Sequence, residues 1–195
     1  MLFSDESTFE IMSSKQRIFV RRRPGEKFSD QCVHPTVKHG GKNVMVWGCI
    51  SGYGVGKLHM CQGHVNAQQY LSILQGPMLE SARNLIPFPG NTFTFQEDNA
   101  PFHTARIVKT WMTAQEDFRR LPWPAQSPDM SPIESLWNSL KRKVHLVKSG
   151  SKDELFSTIQ HYWNQYTVED MQKLVDTMPR RARDLYRAKG GHTKW

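Results

Sequence analysis

At 195 residues, with 38% hydrophobic residues and six tryptophans, the chain carries enough apolar material for one folded domain and is too short for two full ones. Twenty-six Lys and Arg against 18 Asp and Glu leave a net charge of +8, which suits a polyanionic partner, while the apolar fraction excludes a disordered chain. No run approaches the roughly 18 apolar residues of a membrane span, and MLFSDESTFE carries acids where a secretory leader is basic and then apolar, so neither is expected. Cys32, Cys49 and Cys61 form no CxxC pair and are odd in number, which points to an intracellular, reducing setting. Cys32 and His34 are too isolated to anchor a structural zinc.

In chain order, Leu2 to Met12 reads as a strand, with Phe3, Asp5, Phe9 and Ile11 shared between its faces. From Ser13 to Lys42 the sequence is basic and turn-rich, a long excursion of the kind that is functional or unstructured. NVMVWGCIS, Asn43 to Ser51, is apolar almost throughout and predicts a central strand buried on both faces. Gly52, Gly54 and Gly56 mark a turn, and Lys57 to Cys61 returns as the second arm of a hairpin. Helical spacing of apolar residues runs from Asn66 to about Leu85, with Pro77 expected to kink or divide the helix. Thr92 to Glu97 alternates as a strand, His103 to Thr113 is predicted helical, and Phe118 to Leu121 is a short strand. Ser131 to Val147 is amphipathic, with Ile133, Leu136, Trp137, Leu140 and Val144 on one stripe. Asp153 to Tyr166 and Val168 to Arg187 predict two further helices. The order is that of an α/β fold, a mixed sheet covered by helices.

Three acids fall where a strand ends or a helix begins: Asp5, Asp98 and Glu134. Converging carboxylates suit divalent metal and phosphate chemistry, because hard cations prefer oxygen ligands and two ions can serve the attacking and leaving oxygens of an in-line displacement. Each acid also has a plainer reading. Asp5 is a polar strand residue, Asp98 with Asn99 and Pro101 is an ordinary strand-ending turn, and Glu134 completes a capping box with Ser131 in SPIE. Asn99 and His103 are candidates for accessory roles beside Asp98, and His103 equally suits the start of the following helix. Trp111, Trp123 and Trp137 read as core residues before base-stacking platforms. The basic clusters at Arg21 to Arg23, Lys141 to Lys143 and Arg180 to Arg183 read as solvated faces. With the net charge, Lys141, Arg142, Lys143, Arg180 and Arg181 are also candidates for contacts to the DNA backbone, which give affinity without sequence preference.

FSDES, PTVKHGGKNVMVWGCIS, FQEDNAPFHTA, WPAQSPDMSPIESLW and MPRRARDLYRAKGGHTKW, in that order, resemble the catalytic domain of Tc-like transposases of the Tc/mariner superfamily along essentially the whole chain. The resemblance implies a ribonuclease H-like fold, with a core over about 1–148, a clamp-like insertion over about 22–42 and a helical C-terminal extension over about 151–190. It implies a DDE triad in which FSDES supplies Asp5, QEDNAPFHTA supplies Asp98 and SPDMSPIE supplies Glu134. It further implies two Mg²⁺ (or Mn²⁺) ions, DNA as transposon end and as target, cleavage followed by strand transfer, a homodimer clamped through about 22–42, and a nuclear location.

Two departures qualify the expectation. The stretch between Asp98 and Glu134 is one residue longer than Tc-like members usually have, and the extra residue falls between Trp111 and Trp123. Full-length members carry a helix-turn-helix DNA-binding region ahead of the catalytic domain, whereas Asp5 is the fifth residue here, so the expectation is a truncated and non-autonomous enzyme. The alternative is a catalytically silent, domesticated remnant that binds DNA or dimerises. A nuclease for RNA–DNA hybrids is the remaining reading of the same chemistry.

Overall fold

The computed structural model describes residues 1–11, 43–87, 92–124, 127–147, 149–191 and 193–195. The expected clamp over about 22–42 therefore lies outside the described residues, as do Cys32 and His34.

Strands β1 (Leu2–Glu10), β2 (Asn43–Ser51) and β3 (Gly54–Cys61) form an antiparallel meander. β4 (Phe93–Gln96) joins the free side of β1 in parallel, and β5 (Phe118–Arg120) extends it, also in parallel. The order β3-β2-β1-β4-β5 is a mixed sheet with β1 at its middle. β2, expected to be central, is second from the edge, but its apolar run is explained as predicted: Val44, Val46 and Ile50 face one core, Trp47 and Cys49 the other.

One face of the sheet is covered by α1 (Ala67–Ile73), α2 (Leu79–Leu85) and α3 (Arg106–Thr113), which pack Tyr70, Ile73, Ala82, Val108 and Met112 against Leu2, Trp47 and Phe95. Asn66 caps α1 by accepting from the Gln69 backbone N–H at 2.9 Å. Pro77 divides the helix through a π-helical turn at Leu74–Met78 that joins α1 to α2 and accommodates its missing N–H. The helix expected from His103 starts only at Arg106. Pro101 to Thr104 form a separate turn held by the Ala100 carbonyl, and Ala105 is extended.

The other face carries α4 (Pro132–Val144), α5 (Lys152–Trp163) and α6 (Val168–Val175), whose Leu136, Trp137, Leu140, Ile159, Trp163 and Met171 pack on Phe3, Phe9 and Val46. The single helix expected over Val168 to Arg187 is instead α6 and α7 (Met178–Arg187); Pro179, which lacks an N–H, is accommodated in the first turn of the second. Among the described residues no helix is long and apolar enough to cross a membrane.

Gly48 is the packing pivot of this second core. It pairs with Asp5 across β1 and β2, and a Cβ there would lie 2.9 Å from Trp137 Cη2 and 3.0 Å from Trp163 Cη2. The two indoles, 5.0 Å apart and stacked, thus lie on bare backbone. Overpacking of this kind costs about 1–3 kcal/mol. Gly48→Ala is expected to lose that much stability, read as a lowered urea midpoint at unchanged m-value.

Candidate active site

Asp5 lies in the middle strand on the face covered by α4. Because Gly48 leaves room, the Trp137 indole comes close enough for Nε1 to donate to Asp5 Oδ2 at 3.0 Å. A residue that the apolar stripe marks only as core is therefore also what orients the first carboxylate. Burial, then the neighbouring charges of Glu134 and Glu6, push the Asp5 carboxyl well above its ordinary value, and Asp98 adds to this.

Asp98 reaches the same place through strand register. β1 and β4 pair as Leu2 with Phe95 and Phe3 with Gln96, so continuing the register by two residues sets Asp98 abreast of Asp5. Two buried polar links hold this junction. Ser4 Oγ donates to the Gln96 carbonyl at 3.0 Å, and Ser131 Oγ, at the start of α4, donates to Gln96 Oε1 at 3.4 Å. Asp98 itself is exposed, and its Oδ1 accepts from the Ala100 N–H at 2.9 Å and lies 2.6 Å from His103 Nδ1. The His103 hydrogen bond draws the Asp98 carboxyl below its usual range, and the Ala100 N–H helps.

His103 is only 2% exposed, held between the rings of Tyr70 and Phe102, with Nε2 3.3 Å from Glu6 Oε1. Burial opposes its charge, but the hydrogen bonds to Asp98 and Glu6 prevail and push it up to about 10. As an imidazolium it donates to both acids. β1 thus addresses the site from both faces, Asp5 on one side and Glu6, through His103, on the other.

Beside this chain, Glu97 is 1% exposed; the Tyr70 hydroxyl donates to its Oε2, and Arg120 Nε lies 2.6 Å from its Oε1. Asn99 donates from Nδ2 to the Trp123 carbonyl at 2.7 Å, tying down the loop after β5. Glu6, Glu97, Tyr70 and Arg120 were not anticipated. The available signal was the pair of acids beside the candidates, Glu6 next to Asp5 in β1 and Glu97 next to Asp98 just past the end of β4.

Glu134 stands in the first turn of α4, but the capping box does not form: Ser131 makes no side-chain cap bond and spends its hydroxyl on Gln96. Burial raises the Glu134 carboxyl; Lys141 opposes this and Asp98 adds to it. Asp5, Asp98 and Glu134 therefore lie within one another's electrostatic reach. Among the described residues no three His, Cys, Asp or Glu side chains form a ready-made metal cluster. What the fold supplies is an all-carboxylate donor set, two of whose members are raised by burial and mutual repulsion, a cost that divalent hard cations would relieve.

The basic candidates separate. Lys141, Arg142 and Arg180 are exposed, with Arg180 over the Trp195 ring at 4.5 Å, and Lys143 is half-buried over Tyr166 at 4.3 Å. Arg181 is a correction: it is 2% exposed and its guanidinium is spent on its own chain, on Thr177, the Asp129 carbonyl and Ser135, so it is no surface phosphate contact.

The profile of the DDE superfamily endonuclease matches residues 1–156. The chain belongs to this superfamily. Within the DDE superfamily it is 37% identical over 194 residues to the transposable element Tc1 transposase of Caenorhabditis elegans, covering 100% of this chain and 70% of that protein. It is also 37% identical over 199 residues to the Tcb2 transposase of Caenorhabditis briggsae, with the same coverages. The Mos1 mariner paired end complex with Mn superposes with a TM-score of 0.79 at 21% identity, covering 99% of this chain and 56% of that one. The Mos1 catalytic domain does so at 0.75 and 20%, covering 99% and 83%. The sheet and its helices are thus the ribonuclease H-like fold of a Tc1/mariner-type DDE transposase catalytic domain, as the sequence resemblance implies. The chain spans a little over half of the Mos1 chain in the paired end complex.

The His103 pairs have a pH signature. A group whose folded value, about 10, exceeds its ordinary 6.5 stabilises the fold fully below the lower value and loses that contribution as pH rises through the upper. With chelator present, the urea midpoint of the wild-type chain is expected to fall, relative to His103→Gln, between about pH 6.5 and 10.

Proposed function

We propose that this DDE domain cleaves DNA strands and joins them to target DNA, with Asp5, Asp98 and Glu134 as its catalytic carboxylates. The observation that carries the reading is the convergence of those three acids, from β1, the end of β4 and the first turn of α4, at electrostatic range of one another. Solved Mos1 complexes with Mn or with Mg support assigning divalent ions to this site, and two-metal phosphoryl chemistry makes their number two in this reading. When bound, two divalent ions would supply Lewis-acid stabilisation of the attacking and leaving oxygens of a phosphodiester.

The residues contribute what can be derived from their surroundings. Trp137 fixes one oxygen of Asp5, and His103 fixes one oxygen of Asp98 while Glu6 holds the other side of its ring. Glu134 is left without a capping duty. Hydrolysis breaks a P–O bond and leaves a 3′-hydroxyl; in joining, that hydroxyl attacks a phosphodiester of the target, displaces a 3′-oxygen and conserves the number of phosphodiester bonds. Lys141, Arg142, Lys143 and Arg180 are assigned to DNA phosphates, on the strength of exposure or half-exposure and the net charge of +8. The paired end complexes of Mos1 support DNA ends as the partner of this domain, and a homodimer belongs to the same reading. A nuclear location belongs to the same reading, since the nematode relatives act in cells that keep their DNA there.

With Mn²⁺ and a pre-nicked DNA end, Asp5→Asn, Asp98→Asn and Glu134→Gln are each expected to lower the single-turnover cleavage rate by about 10³-fold or more, and undiminished cleavage in any one would remove it from the site. Burial and the neighbouring acids make Asp5 and Glu134 hold protons more firmly than ordinary carboxyls, and Mn²⁺ competes with any proton they carry. Calorimetry is expected to show Mn²⁺ binding weakening as pH is lowered, with heats that depend on the buffer's ionisation enthalpy wherever protons are displaced.

A further inference from the structure

The first turn of α4, which carries Glu134, lacks a side-chain cap of its own, since Ser131 is committed to Gln96. Its other restraint comes from the far end of the chain. Arg181, in α7, donates from Nη1 to the Asp129 carbonyl in the 3₁₀ turn Pro128–Met130 just before α4, and from Nη2 to Ser135 Oγ just after Glu134, both at 2.8 Å. Its Nε donates to Thr177 Oγ1 at 2.8 Å, which fixes the guanidinium plane within α7. One rigid fork thus spans the segment on either side of Glu134.

The C-terminal residues close over the fork. The Trp195 ring lies 4.9 Å from the guanidinium carbon, and its Nε1 donates to Asp184 Oδ2 at 3.1 Å. Thr193 Oγ1 donates to Asp129 Oδ2 at 2.7 Å, so the tail grips the same turn that Arg181 grips. Glu134, Ser135, Arg181 and Trp195 line one cavity of about 420 Å³, which places the tail against the acid's own surroundings. Arg181 and the tail lie beyond the residues matched by the superfamily profile.

We propose that Arg181, covered by Trp195, is a positioning residue for Glu134, so that the C-terminal helix and tail are part of the metal-binding machinery rather than an appendage. The fork's three oxygen acceptors are all uncharged, two hydroxyls and one backbone carbonyl, so these bonds place the segment on either side of Glu134 without pairing the guanidinium to a carboxylate. The inference rests on the reading of Glu134 as a metal ligand.

The test measures Mn²⁺ binding by calorimetry on the full chain, together with Mn²⁺-dependent strand cleavage, for wild type, Ser135→Ala, Arg181→Lys, Glu134→Gln and the double variant of the last two. Outer-shell residues typically contribute about 10–100-fold to metal affinity. Ser135→Ala and Arg181→Lys are expected to weaken Mn²⁺ binding at least about 10-fold while thermal unfolding of Ser135→Ala stays near that of wild type. Arg181→Lys is expected to add nothing in the Glu134→Gln background, a non-additivity that a general loss of stability would not produce. If Arg181→Lys does not fold, Ser135→Ala alone decides. Wild-type Mn²⁺ affinity in folded Ser135→Ala, or fully additive losses in the double variant, would overturn the proposal and leave the functional reading standing. A wild-type chain that binds no Mn²⁺ would overturn both.

Discussion

The site depends on a very short parallel pairing. β1 and β4 share only the pairs Leu2–Phe95 and Phe3–Gln96, yet that register is what sets Asp98 beside Asp5. A slip of one residue would turn the side chains of β4 to the opposite faces and carry Phe93 and Phe95 out of their core. Those two rings, packed with Phe118 of β5, make the slip costly, and the Ser4–Gln96–Ser131 links secure the same junction with buried polar contacts. The register that fills the core is therefore the register that aligns the acids.

Gathering like charges runs against folding, and the surroundings show how the cost is distributed. Asp5 and Glu134 hold their protons more firmly than free carboxyls, whereas Asp98 is kept ionised by His103. The imidazolium is itself sustained from behind by Glu6, on the opposite face of the strand that carries Asp5. The site thus has a charge-compensated half and an uncompensated half, and the uncompensated half is where a divalent cation would gain most.

Much of the fold is legible locally. The apolar run Asn43–Ser51 needs two buried faces, and the Ile133–Val144 stripe needs one, so a covered sheet follows from pattern alone. The boundaries that differed were decided by proline and by competing hydrogen bonds: Ala100 captures the His103 and Thr104 N–H groups in a turn before α3, and Pro179 sits where α6 gives way to α7. The acids were legible only through their motifs, since each fits a turn, a cap or a strand position on its own. The capping box for Glu134 failed because Ser131 found a partner, Gln96, that no local window contains.

The sequence by itself determined the alternation of apolar faces, the order of strands and helices, and, through its long motifs, which superfamily the chain belongs to. Those depend on neighbours along the chain and on residue identity. Only the tertiary structure decided that Trp137 serves Asp5, that Glu6 serves Asp98 through His103, and that Arg181 braces α4 instead of facing solvent. Each joins residues far apart in sequence, and a buried donor takes whichever acceptor the packing brings within reach, which no local pattern encodes.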